Sequence, residues 1–145
     1  MLSRLLRPAV IARAHCDLPC GVYDPDQARV EAESVYRIIE KYHESDDALF
    51  KTRAIAIKER QAELAKRHIE VLWSDYFKPE NLTADPAIAE LCWKAAKQCS
   101  KVKQSLDIEE ARTLLDLIDR IGDAWYEAGG ARETRLPKTT ASARA

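Results

Sequence analysis

Glycine is scarce, with four residues in a chain of 145. So few positions suited to tight turns weigh against a strand-rich fold, and a charged fraction of 32% within a chain rich in Ala, Leu, Glu, Lys and Arg favours helices. No apolar run approaches the roughly 20 residues that a membrane span requires, so no membrane association is expected. A clustered basic surface is missing as well. The formal net charge is −1, but residues 1–14 carry three Arg and no acid, and residues 131–145 carry four basic residues and one acidic. The segment between them holds 16 basic and 23 acidic residues, a net of −7. Such a body has no electrostatic footprint for phosphate backbones, and nucleic acid is not an expected partner. Four cysteines, two of them irregularly placed, are too few for the disulfide framework of a small secreted scaffold. Reduced thiols or metal ligands are the expectation. With the poor secretory signal described below, this points to the cytoplasm.

What the chain does have is 46% apolar residues, enough for one core in one compact domain. Asp24-Pro25 offers a capping acceptor and a proline at a helix start, and Ala28, Ala32, Val35, Ile39 and Tyr42 then recur at helical spacing to about Glu44. Ser45, Asp46 or Asp47 can cap a second helix with Phe50, Ala54, Ile57, Leu64, Ile69, Leu72 and Tyr76 inward, stopped by Pro79. Asp85-Pro86 opens a third, with the stripe Ile88, Leu91, Cys92, Ala95, Cys99 and Val102. Asp107 caps a fourth, with Ala111, Leu115, Ile118, Ile121 and Trp125 inward and Gly129-Gly130 at its end. Four amphipathic helices with short links predict an all-α, up-down-up-down four-helix bundle over residues 15–130, preceded by an irregular amino-terminal hook. The polar, basic and aperiodic stretch 131–145 predicts a disordered tail.

Residues 1–14, MLSRLLRPAVIARA, are basic and acid-free and end in a sequence that mimics a secretory cleavage site. Fourteen residues are short for a signal or transit peptide, and Arg7-Pro8 divides the apolar part. A cleaved pro-segment that masks a functional amino terminus fits better; an unprocessed, disordered start is the plain alternative.

Between this leader and the first helix lies a stretch without helical or strand pattern that holds an imidazole and two thiols within six residues, His15, Cys16 and Cys20. Cleavage after Ala14 would give His15 a primary amine beside its imidazole. Cys16 would add a thiolate and a backbone amide nitrogen that a strongly bound metal can deprotonate, and Cys20 a second thiolate. Such an N2S2 set suits square-planar Ni(II), and its anionic donors bring Ni(III) within reach, with the imidazole available as an axial ligand. Pro19 stiffens the turn and Gly21 relaxes it. Taken alone, the pattern is shared with ordinary loops and partial zinc sites. Zinc would want a fourth side-chain ligand, which the loop lacks, and three intervening residues exclude a C-x-x-C redox motif.

The run HCDLPCGVYDP, from His15 to Pro25, with QARVEAESV after it and KERQAELAKRHIEVLWSDYFKP from Lys58 to Pro79, resembles the nickel superoxide dismutases, as does the short leader ending at Ala14. The similarity covers about residues 15 to 128. It implies a homohexamer of right-handed four-helix bundles, one nickel ion per subunit, and disproportionation of superoxide to dioxygen and hydrogen peroxide by Ni(II)/Ni(III) cycling. A processing protease and a nickel supplier are implied as partners. By position, His15 would supply amine and axial imidazole, Cys16 amide nitrogen and thiolate, and Cys20 the other thiolate. Asp17 and Tyr23 would border the substrate's approach and support hydrogen bonding there. Glu31 would orient the axial imidazole, consistent with the rule that a ligating histidine gives its other nitrogen to an acceptor. Some family members place an arginine near the metal where this chain has Gln61, with Arg60 one residue earlier; Gln61 is expected to lie between Ile57 and Leu64 and to replace that hydrogen bond. His43 and His68 are expected at the surface or in helix packing, Cys92 and Cys99 as core thiols, and Trp73 and Trp125 in packing. A non-catalytic helical bundle that binds or carries a metal is the alternative function.

Overall fold

Capping acceptors set where each long helix begins. In a computed structural model that describes residues 23–130, Asp24 Oδ1 accepts from the amide of Asp26 at 2.8 Å, and α1 runs Asp26–Glu44. Asp47 accepts from the amides of Leu49 at 2.8 Å and Phe50 at 3.3 Å to open α2, Ala48–Val71. A π-helical turn, Leu72–Tyr76, continues it, and a short α3 spans Pro79–Ala84. Asp85 Oδ1 receives the amide of Ala87 at the start of α4, Ala87–Gln104, and Asp107 that of Glu109 at the start of α5, Ile108–Glu127. Among the described residues there is no strand. The chain leaves α5 through Gly129, whose φ of 100° is left-handed. Gly130 follows with its amide on the carbonyl of Trp125 at 2.9 Å. A Cβ on Gly130 would collide with the Trp125 ring, so the absent side chain is what lets the indole close the end of the bundle.

Helix α1 packs on α2 and α5, and α4 packs on the same two, so the four long helices close a square. Links of three residues, 45–47 and 105–107, are too short for anything but antiparallel neighbours, and the result is the expected up-down-up-down bundle. The stripes expected on α1, α4 and α5 fill its core, except that Tyr42 is half-buried against His43 and Lys51 and stands outside it. Ala28, Ala32, Val35, Ile39, Cys92, Ala95, Cys99, Val102, Ala111, Leu115, Ile118 and Ile121 are all buried. Each larger aliphatic side chain so placed contributes about 1.5–3 kcal/mol over leaving it in water.

Helix α2 departs from the expected stripe. Phe50 and Ile57 are 37% and 44% exposed, and the face turned inward is Ala54, Lys58, Ala62, Ala65, Ile69 and Leu72. Small side chains let the neighbouring helices approach closely, so the narrow side of α2 is buried rather than its bulkiest one. Pro79 also does not end α2 directly; it opens α3, an element absent from the sequence expectation, in the first-turn position where a missing N–H costs nothing. Lys58 is buried because its ammonium has a use: Nζ donates to the carbonyls of Val102 at 2.8 Å, Lys103 at 2.9 Å and Ser105 at 2.6 Å. These are carbonyls at the end of α4, which have no partner within that helix. Desolvation draws the ammonium's pKa below the ordinary lysine value, and three oxygens hold the proton in place. Lys58→Met keeps the apolar stem and removes the donors, so we expect a loss of about 2 kcal/mol in urea unfolding, the scale of hydrogen bonds to a buried charged group.

Candidate metal centre

His15, Cys16, Asp17 and Cys20 lie outside the described residues, as do the leader and residues 131–145. The part of the site that can be described begins at Tyr23, just before α1. Its ring lies 5.8 Å from that of Tyr76, centroid to centroid and tilted by 58°, and Tyr76 in turn stands 6.1 Å from Trp125. The Tyr76 hydroxyl donates to the carbonyl of Trp125 at 3.3 Å, and burial raises its pKa, which keeps the phenol protonated. Tyr23 is thus seated on an aromatic stack built on the π-helical turn and the end of α5. The packing role foreseen for Trp125 holds, and Trp73 packs against the core from a half-buried position.

Asp24, the next residue, lines a surface cavity of about 470 Å³ together with Asp26, Gln27, Val30, Glu31 and His68. Helix α1 supplies most of this wall, and α2 supplies His68 across the interface. His68 Nδ1 and Glu31 Oε2 are 2.7 Å apart, with side chains 21% and 15% exposed. Burial raises the Glu31 carboxyl above the ordinary carboxylate range, and the hydrogen bond and charge of His68 oppose that rise. Three carboxylates around one imidazole make a wall that repels anions and accepts N–H donors. By chemistry this cavity receives an amine or an imidazole more readily than it receives superoxide. No group of three or more His, Cys, Asp or Glu among the described residues is arranged to hold a metal ion, so the cavity wall is a support and not a ligand set.

Glu31 is therefore half-buried at the interface of α1 and α2, as its place beside Ala28, Ala32 and Val35 suggested. His68, expected only at the surface or in packing, is its partner. The signal was present in the spacing, since His68 follows Gln61 by two helical turns and shares its flank of α2. Gln61 is half-buried, but the line on which it was expected is tilted: Ile57 is exposed, Leu64 half-buried, and Ala62 and Ala65 face the core. Among the described residues its amide makes no hydrogen bond. His43 is exposed and sits 2.8 Å from the carbonyl of Leu106, tying the end of α1 to the link between α4 and α5.

Cys92 and Cys99 are free thiols fully enclosed by the core, and burial pushes both up to about 12. They are protonated and unreactive at neutral pH. A thiol titration of the folded, metal-free protein with an aromatic disulfide reagent should modify Cys16 and Cys20 quickly. Cys92 and Cys99 should react only after denaturation, and rapid reaction of all four would contradict the packing.

The family model for nickel-containing superoxide dismutase matches residues 10–128, a span that includes His15 to Tyr23 as well as the bundle. The nickel superoxide dismutase of Streptomyces seoulensis is 52% identical over 127 residues, covering 88% of this chain and 97% of the relative. That of Streptomyces coelicolor is 51% identical over the same length and shares. A solved native nickel superoxide dismutase superposes with a TM-score of 0.78 at 49% identity, covering 80% of this chain and 100% of that one. The chain belongs to the nickel-containing superoxide dismutase family.

Proposed function

We propose that this chain disproportionates superoxide to dioxygen and hydrogen peroxide at one nickel ion per subunit, held by residues 15–23 after removal of residues 1–14. The observation that carries this reading is the junction at Tyr23. The segment with an imidazole and two thiols immediately precedes, in sequence, Tyr23, which packs on Tyr76, and Asp24, which lines a cavity with Asp26, Glu31 and His68. The donor set fits the metal: the His15 amine and imidazole, the Cys16 amide nitrogen and thiolate, and the Cys20 thiolate would offer nickel the nitrogen and sulfur ligands that suit it. Bound there, nickel supplies a one-electron Ni(II)/Ni(III) couple.

The chain's own residues do the rest. Glu31 accepts a hydrogen bond from the His15 ring and so sets its orientation. Tyr23, held against Tyr76, and Asp17 border the approach of superoxide and offer hydrogen bonds at which protons are held for peroxide formation. Coordination of both thiolates protects them from oxidation to sulfenic and sulfinic acids by the product. Gln61 stands where some family members carry an arginine, and its half-buried amide would replace that hydrogen bond toward the hook. Residues 1–14 keep the His15 nitrogen in a peptide bond, so a processing protease activates the enzyme in the same cut that completes the ligand set, and a nickel supplier fills it. The assembly is a homohexamer, for which Leu49, Phe50 and Ile57 on the outer side of α2 supply apolar surface. The location is cytoplasmic; among the described residues no helix is long and apolar enough to cross a membrane.

The test compares a chain beginning at His15 with one that keeps Met1 to Ala14, both offered Ni(II), by superoxide consumption and nickel content on the same samples. Activity with one nickel per chain in the first and neither in the second is the expected result. Nickel bound without superoxide consumption would make the protein a metal carrier, and no nickel in either would remove the ligand assignment.

A further inference from the structure

We propose that His68 is a positioning residue for the metal hook, acting through Glu31. The inference rests on the reading that Glu31 accepts from the His15 ring, and it concerns what holds Glu31 in place to do so. A glutamate on the wall of an open cavity has three rotatable bonds, and fixing such a side chain costs up to about 2 kcal/mol of rotamer entropy. Here the cost is met before any donor arrives. His68 Nδ1 lies 2.7 Å from Oε2, and both side chains are mostly shielded.

The pairing occupies one carboxylate oxygen and leaves the other. Among the described residues Oε1 of Glu31 makes no hydrogen bond, while Asp24, on the same wall, already spends Oδ1 on the amide of Asp26 at 2.8 Å. A carboxylate that receives one imidazole N–H from α2 on Oε2 can receive a second from the hook on Oε1, so that it bridges two rings. The donor comes from a different helix than the acceptor. Glu31 is thereby tied to the α1–α2 interface and cannot follow a loosely seated hook.

The experiment uses the nickel-loaded enzyme beginning at His15 and compares wild type with His68→Ala, His68→Asn and Glu31→Gln. Three properties are read: nickel per chain, superoxide consumption, and the electron paramagnetic resonance spectrum of the oxidised form. An axial imidazole nitrogen splits the signal of an unpaired electron directed along that axis, so the splitting reports the ring's placement and is indifferent to bundle stability. In His68→Ala the nickel content stays near one per chain, because no ligand is touched. The nitrogen splitting is lost from at least half of the metal, and activity falls about tenfold or more, as for other outer partners of metal ligands. His68→Asn, whose side-chain amide can place an N–H close to where Nδ1 stood, restores most of both. Full splitting and wild-type activity in His68→Ala would overturn the proposal, as would equal losses in His68→Ala and His68→Asn. If Glu31→Gln loses the splitting while His68→Ala keeps it, the role of Glu31 stands and that of His68 falls. A wild-type enzyme without the splitting would remove the hook reading itself and this inference with it.

Discussion

Replacing either Cys16 or Cys20 by serine should abolish both nickel retention and superoxide consumption while leaving the helical content unchanged. A serine hydroxyl matches the thiol in shape but stays protonated at neutral pH, so it offers neither the negative charge nor the polarizable sulfur on which the donor set depends. Loss of one thiolate from a planar array also lowers the electron density that makes Ni(III) reachable. Residual nickel bound by the other donors would therefore not cycle. Among the described residues the core runs from Ala28 to Trp125, so the helices are expected to form without either thiol. Metal analysis, a superoxide assay and far-ultraviolet circular dichroism on the same samples check all three statements. A serine variant that kept both nickel and activity would show that its sulfur is not a ligand.

The largest expected loss of stability comes from one ion pair. Arg29 Nε donates to Asp119 Oδ1 at 2.8 Å, joining α1 to α5, with side chains 3% and 4% exposed. Removing one partner leaves the other charged in a place it cannot be solvated, so Arg29→Met or Asp119→Leu should each cost about 3–5 kcal/mol. That is a large part of the roughly 5–15 kcal/mol that holds an ordinary domain folded. The double variant should lose much less than the sum of the two, because it buries no orphaned charge. Among the described residues Arg29 Nη2 is buried without a hydrogen-bond partner, so the guanidinium is only partly satisfied and the net gain from the pair is smaller than the cost of breaking it. Urea unfolding at one fixed protein concentration, since assembly would otherwise shift the midpoint, measures each variant. A single substitution within 1 kcal/mol of wild type, on the order of an exposed pair, would contradict the burial of this one.

Three helices were legible because each buries one side of a regular stripe. On α1, Ala28, Ala32, Val35 and Ile39 recur every three or four residues, and so do Ile88 to Val102 on α4 and Ala111 to Trp125 on α5. Their starts were legible too, since Asp24, Asp85 and Asp107 accept backbone amides one turn or less away; for α2 the structure selects Asp47 from the three candidates Ser45, Asp46 and Asp47. Helix α2 was misread in its orientation. Hydrophobicity alone places Phe50 and Ile57 inside with Ala54, Ile69 and Leu72; the bundle buries the last three, turns Ala62 and Ala65 inward in place of Phe50 and Ile57, and takes in Lys58 because the end of α4 supplies three carbonyl acceptors. No pattern within α2 announces acceptors that lie more than forty residues further along the chain.

The sequence by itself determined the four long helices, their order and the ligand candidates His15, Cys16 and Cys20, because periodicity, capping and a cluster of donors within six residues are all local properties of the chain. Only the tertiary structure decided which polar side chains meet: Glu31 with His68 across 37 residues, Arg29 with Asp119 across 90, Lys58 with the end of α4. Those pairings depend on how each helix is rotated against its neighbours, and that rotation is set by the fit of small and large side chains over the whole interface, which no single segment contains.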